Sequence, residues 1–519
     1  EKIFKKLFYF ICTLLFRRNL KKKVAFNPIS GNKTILFTFG IQILKQMNKK
    51  VIHFENKFVL AGIILFLCIC IFISVNTEGT VDSGDSIMHY LYAKYAFSHP
   101  SHFLNHWAKP VFVLLSVPFA QFGFTGIKIF NSLIASLIML FTYLTAKKIN
   151  IKNAYLSVIF LLAAPFNIII IFSGLTEPLF ALFLILTLYL FLDGKEKTAI
   201  IVLSFLPFVR SEGIIILGVY AFFLLLKKKY KIIPLLFTGH LLYSIIGFFY
   251  YHDFLWVFTK IPYAKLNSTY GSGDIFHFAN QLFYVIGLPL YILVVLGIIS
   301  SIFLFFKKPL KDIILKKSEC LTLIYLCFIT YFIAHSLFWY FGIFNSMGLK
   351  RVLIGVIPLI SLICLDGFNF LTQLFKNKII KNSISFIFIF FIILFPFTKS
   401  PASFNFKKDF SLKPDQHLIV QMVNDFKLKD NDYLYYYFPA YISIVLEIDH
   451  FNPDTRKSLS ELVKEQEIPT NAFIVWDNWF SVVEEGVSYD KLKNDTRLKE
   501  VKSYERDGAK LVVFVRNDL

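Results

Sequence analysis

Nine apolar runs of membrane-crossing length dominate this sequence. A bilayer's hydrocarbon core of about 30 Å takes roughly 20 apolar residues in a helix, somewhat fewer where the bilayer thins. Such runs fall near residues 58–75, 128–146, 154–173, 177–192, 232–251, 281–306, 320–341, 351–371 and 383–398. With 56% hydrophobic and only 17% charged residues, the 519-residue chain carries more apolar surface than a soluble fold can bury. The formal charge of +21 sits mainly in short Lys clusters between the apolar runs, the pattern of cytoplasmic loops rather than of a nucleic-acid footprint. No nucleic-acid partner is expected.

One further apolar stretch, Thr198 to Leu226, is interrupted by Arg210, Ser211 and Glu212. As a single span it would bury two charges at a cost of several kcal/mol. As two short passes it leaves them at a surface. Loop charge decides: counted as two, it places the clusters at Lys147, Lys195–Lys197, Lys227–Lys231, Lys307–Lys317 and Lys376–Lys381 on one side. The expectation is a polytopic α-helical membrane protein of about eleven passes, spanning 47–398, with a soluble mixed α/β domain at 399–519 on the non-cytoplasmic side. The first methionine is Met47, and residues 1–46 read as an extension that is interfacial or without fixed structure. All six cysteines lie in apolar stretches, where packing or lipid contact is the ordinary use.

This topology gathers the polar residues on one face. The outer loop 76–127 is the richest, with helical spacing from Ile87 to Phe97 and from Val111 to Phe122 suggesting two amphipathic helices along the membrane surface. Asp85 falls at the start of the first. It reads either as a helix cap or as a catalytic acid, and Asp82 competes with it for that role. Glu177 in "SGLTEP" and Glu212 in "RSEG" are the remaining outer acids; Glu212 reads equally as an ion-pair partner of Arg210. Lys350 and Arg351 read either as snorkelling anchors or as site cations. The four histidines of the loop, His89, His99, His102 and His106, have no metal-ligand spacing, and neither a metal nor a cofactor is expected. In the tail, Trp476, Trp479 and Phe480 are assigned mainly to packing.

The acid after the first span, then "YAKYAF", a Pro, "KP" at Lys109-Pro110, an apolar helix and "IKIFNSLIASLIMLFTYLTAKKI" resemble the membrane glycosyltransferases of the GT-C fold. The resemblance covers residues 58–370 and is greatest to the protein O-mannosyltransferase and aminoarabinose transferase group. It departs in having Asp85-Ser86 where Asp-Glu is usual, and Ala108 before the Lys-Pro pair. It implies an inverting transferase that moves a sugar from a polyprenyl-phosphate donor to a hydroxyl acceptor at the outer face of a bacterial inner membrane. The same resemblance gives Asp85 the catalytic role, and Lys109, Arg210 and Arg351 the donor phosphate; Glu177 and Glu212, from their place at the outer face, are read as substrate contacts or as partners of the basic residues. A multi-pass transporter and a lipid-linked glycan polymerase or ligase are the alternatives. Against the transporter, no acid is read deep within a span and no inverted repeat is visible.

Overall fold

A computed structural model describes residues 57–262, 268, 270–307, 319–429 and 433–517. The described residues from Val59 onward form one compact unit, and the expected extension at 1–46 lies outside the described residues. Among the described residues, seven helical segments are long and apolar enough to cross a membrane: 57–76, 123–148, 230–251, 277–303, 321–341, 350–373 and 378–397. The other four expected passes coincide with shorter helices. One is broken at Pro165 into α5 (Leu156–Leu162) and α6 (Pro165–Ile171), after α1 (Lys57–Asn76), α2 (Asp85–Lys94), α3 (Pro110–Ala120) and α4 (Gly123–Lys148). Next comes α7 (Glu177–Leu192). The charge-interrupted stretch then forms α8 (Glu196–Leu203) and α9 (Leu206–Val209), a turn at Arg210–Glu212, and α10 (Gly213–Leu226).

Charge is sorted to the ends. Away from that turn, Lys148 pairs with Asp193 at 2.8 Å, and Lys229 pairs with Glu196. After α10 come α11 (Thr238–Tyr251), α12 (His277–Lys307), α13 (Glu319–Phe341), α14 (Ile357–Gln373) and α15 (Lys378–Leu394). Helix α14 corrects one sequence expectation, because it carries an acid within a span: Asp366 Oδ2 lies 2.9 Å from the Tyr325 hydroxyl. Hydroxyl pairing is what makes a carboxyl tolerable there.

The C-terminal part is the expected mixed α/β domain. Helix α16 (Pro414–Phe426) precedes β1 (Leu434–Tyr436), β2 (Arg456–Lys457), β3 (Ala472–Asp477), β4 (Leu498–Arg506) and β5 (Ala509–Arg516), ordered β2-β1-β3-β5-β4. Leu459–Leu462 is a short helix, and Arg456 and Lys457 just before it are drawn into the sheet beside Tyr435 and Tyr436. Strand alternation gives the sheet two cores. Ile474, Val512 and Phe514 face Leu459, Leu462 and Leu492 on one side.

On the other side Tyr435, Phe473, Val475 and Val513 pack with α16 and with Ile87, Tyr90 and Leu91 of α2. This changes the reading of the first outer loop. Helix α2 does not lie on an open surface: its apolar face completes the core of the C-terminal domain, and removing that face from water is what holds it. The Tyr95 hydroxyl donates to the Ile448 carbonyl at 2.8 Å, and His99 Nε2 lies 2.8 Å from Asp449 Oδ2, on the same seam.

Candidate active site

The residues opening α2 are fixed from two directions. Asp82 Oδ1 accepts the backbone N–H groups of Gly84 and Ser86, both at 3.0 Å, so Asp82 caps the helix that Asp85 begins. Ser86 Oγ accepts the Gly174 N–H at 2.7 Å. A side chain at Gly174 would collide with the Ser86 carbonyl, at 2.1 Å from an added Cβ. The 173–178 turn therefore sits directly against α2, which brings Glu177, the first residue of α7, beside the acids of the outer loop.

Arg351 is the second residue of the Lys350–Val356 3-10 turn that leads into α14. Its guanidinium pairs with three carboxylates: Asp82 through Nη1 at 2.9 Å, Asp85 through Nη2, and Glu177 through Nε at 3.3 Å. Glu177 is fully buried and also meets Arg210 Nη1 at 2.8 Å, while Arg210 Nε reaches Glu212 at 2.6 Å and its Nη1 the Thr176 hydroxyl at 3.0 Å. Lys109 closes the line, with Nζ 3.4 Å from Ser211 Oγ. It holds a left-handed φ of 65° immediately before Pro110, which aims its side chain inward.

The structure thus brings Asp82, Asp85, Glu177, Lys109, Arg210, Glu212 and Arg351 into one cluster. Segments that are remote in sequence meet there. Arg351 and Lys350 part company: Lys350 lies over the Phe166 ring, 4.4 Å from its centre, and only Arg351 enters the cluster. Arg210 and Glu212 do pair with each other, but Glu177 extends that pair into the larger network.

A cavity of about 700 Å³ opens above the cluster and is lined by Asp82, Asp85 and Arg351. The side chain of Asp85 is 40% exposed toward it, that of Asp82 31%, and that of Arg351 only 16%. Burial raises the carboxyl of Asp82 to about 6 against the opposing pull of Arg351. At Asp85, burial acts in the same direction, yet Arg351 and its neighbouring groups outweigh it and hold the carboxyl below the usual range. Asp85 is therefore an anion at neutral pH. Burial lowers Lys109 to about 8, so its ammonium persists at neutrality but with little margin.

Sequence reasoning gave His89 no site role. It lies one turn after Asp85, buried, with its ring stacked on Trp107 at 4.9 Å, and burial lowers it to about 3, keeping it neutral beside the cations. Its spacing of four residues from Asp85 was the available signal. The tail aromatics divide. Trp476 is core, its indole N–H donating to the Val487 carbonyl at 2.9 Å, whereas Trp479 is 45% exposed and lines the cavity.

No protein-family model and no curated protein matches the sequence. Among solved structures the chain is similar to ArnT from Cupriavidus metallidurans bound to undecaprenyl phosphate, at 12% identity with a TM-score of 0.58, over 87% of this chain and 97% of that one. The apo form of the same protein aligns with a TM-score of 0.54 at 12% identity, over 87% and 98% of the two chains. The likeness covers most of both chains, and ArnT has the GT-C fold of the group that the outer-loop motifs resemble. The chain has the GT-C fold, with an integral multi-pass membrane part and a mixed C-terminal domain.

Proposed function

We propose that this chain is an inverting glycosyltransferase that takes a sugar from a polyprenyl-phosphate donor and delivers it to a hydroxyl acceptor at the outer face of a bacterial inner membrane. The observation that carries the reading is one ionised, half-exposed carboxylate, Asp85, paired with Arg351 on a cavity wall, with Arg210 joined to Arg351 through Glu177 and Lys109 beside Ser211 in the same cluster. The undecaprenyl phosphate held by the ArnT structure supports a lipid-phosphate ligand for a fold of this shape. The lysine clusters support an orientation with the cavity and the C-terminal domain outside.

The chemistry suits those groups. A phosphate monoester is a good leaving group and needs no proton from an acid, so a single base that takes the acceptor's hydroxyl proton suffices. Attack on the face of the anomeric carbon opposite the phosphate inverts it. As the bond to phosphate breaks, negative charge grows on the departing oxygen, and fixed cations favour that state over the bound donor.

Arg351 couples the two events. An arriving phosphate competes with Asp85 for its guanidinium, and as the pairing with Arg351 weakens, the Asp85 carboxylate becomes more basic where the acceptor approaches. Asp82, tied to two backbone amides as a helix cap, suits a supporting role better than the base. Lateral pairs with Glu177 and Glu212 keep the buried cations from repelling each other apart.

The test is Asp85→Asn assayed in proteoliposomes with undecaprenyl-phosphate-linked radiolabelled hexoses and pentoses. Transfer to membrane acceptors is expected to fall by about 10²–10⁴-fold, the range for removing a general base, with expression and donor binding intact. Undiminished transfer removes Asp85 from the chemistry, and the same loss in Asp82→Asn alone would move the base to Asp82.

A further inference from the structure

The opposite wall of the cavity belongs to the C-terminal domain, and nothing in the proposed donor chemistry uses it. Trp479 and Phe480 project from the end of β3 at its rim. Their backbone is held rigidly: Asp477 Oδ2 accepts the N–H of Trp479 at 3.0 Å and of Phe480 at 2.7 Å, while Oδ1 accepts the N–H and hydroxyl of Ser481. Asn478 is locked to the β4–β5 turn, donating to the Gly508 carbonyl at 2.9 Å and accepting from the Lys510 N–H at 2.9 Å.

The rings form a shelf. Phe480 stacks on Phe438 with 5.7 Å between centres and 16° between planes, and meets Trp479 edge-on at 4.6 Å. The shelf also touches the reacting end of the cavity, since an added Cβ on Gly84, next to Asp85, would lie 3.4 Å from Phe480. An indole left 45% exposed on a cavity wall, on a backbone this well anchored, offers ring surface to whatever enters the cavity.

Resting on the transferase reading above, we infer that this shelf is the acceptor subsite and that the acceptor presents a neutral carbohydrate ring to it. The apolar face of a pyranose matches an exposed aromatic plane, and its hydroxyls match the polar groups around the rim. Asp415, Glu484 and Asp507 line this side of the cavity with Lys510, whose Nζ is paired with Glu505 at 2.9 Å, a balance that disfavours an anionic acceptor group. About 700 Å³ falls within the range of roughly 300–1,000 Å³ typical of ligand sites and leaves room for an acceptor ring beside the donor sugar. The shelf lies beside Asp85, so a hydroxyl of a stacked ring faces the base.

Saturation-transfer NMR on the full chain in nanodiscs of phosphatidylethanolamine and phosphatidylglycerol tests this directly, with cellobiose and a Ser/Thr-rich peptide as separate probes. The ring protons of cellobiose are expected to receive saturation in the wild type and in Asp85→Asn, and to lose at least fivefold in Trp479→Ala. Trp479→Leu, which keeps apolar bulk but not the flat face, is expected to lose as much, and Trp479→Phe to retain part. Equal cellobiose signals in the wild type and the Ala and Leu variants overturn the inference, as does saturation of the peptide alone. Because binding is read rather than transfer, such a result leaves the transferase reading standing. That reading fails separately if the saccharide binds and no lipid-linked donor is turned over.

Discussion

On the membrane side of the cavity the functional groups arrive from far apart in the chain: Asp82 and Asp85 from the outer loop, Glu177 from the start of α7, Arg210 from an interrupted helix pair, Arg351 from the turn before α14. On the C-terminal side Asp477, Trp479 and Phe480 are near neighbours, braced by one strand end and one hairpin. The first wall is held by opposite charges, several of which touch more than one partner. The second is held by backbone hydrogen bonds and ring packing. A charge removed from the first wall unbalances several groups at once, whereas a ring removed from the second leaves its scaffold intact.

Arg351 is where that contrast is sharpest. In Arg351→Ala three carboxylates are deprived of a common partner and the departing phosphate of a donor, so transfer in proteoliposomes should drop by about 10³-fold, at the upper end for removing one preorganised charge stabiliser. Arg351→Lys restores the charge but not the fork. A point cation cannot hold Asp82, Asp85 and Glu177 together, and a loss of about 10²-fold should remain. If Lys recovers full activity, the planar geometry is irrelevant and the wall is a simple positive patch.

Glu177→Gln isolates the structural part of the same wall. The carboxylate is fully buried between Arg210 and Arg351, and the amide leaves two guanidinium groups facing each other without an anion between them. Removing one partner from a buried network costs about 3–5 kcal/mol, which should appear as a markedly lower thermal unfolding midpoint in detergent. Trp479→Ala should move the same midpoint little. An unchanged midpoint for Glu177→Gln would mean that the two arginines are held by their other partners.

The two walls also differed in how far the sequence revealed them. Arg210, Glu212 and Arg351 stood out because charge beside an apolar run is costly, and the positive-inside pattern placed them all on one face. That is a one-dimensional signal and needs no knowledge of the fold. It said nothing of which basic residue of Lys350-Arg351 turns inward, since that depends on the 3-10 turn and on Phe166 receiving the lysine. Trp479 was masked for another reason: "AFIVWDNWF" reads as a buried strand, and only its exit at Asp477, where the side chain caps the next turn, separates core Trp476 from exposed Trp479. Helix α2 was found by its spacing, but its partner, the sheet some 350 residues onward, is a tertiary fact that periodicity cannot express.

The smallest effects should come from titration, and their signs separate function from stability. Asp82 is raised to about 6 by burial, so it is charged above that pH and grips Arg351; acidification through about 6 neutralises it and should lower transfer severalfold. Stability runs the other way. A carboxyl whose folded value lies above its ordinary 3.8 costs the fold stability when ionised, and that cost is relieved as pH falls from above 6 toward 4. Asp82→Asn should therefore abolish the acid limb, remain at the lower activity throughout, and unfold no more readily than the wild type at pH 7. On the alkaline side Lys109, lowered to about 8, loses its charge as pH rises, and Lys109→Arg should push that limb beyond the measurable range. An acid limb that survives in Asp82→Asn would assign the titration to Asp85 itself, the base, and would leave Asp82 acting on the site only as the helix cap.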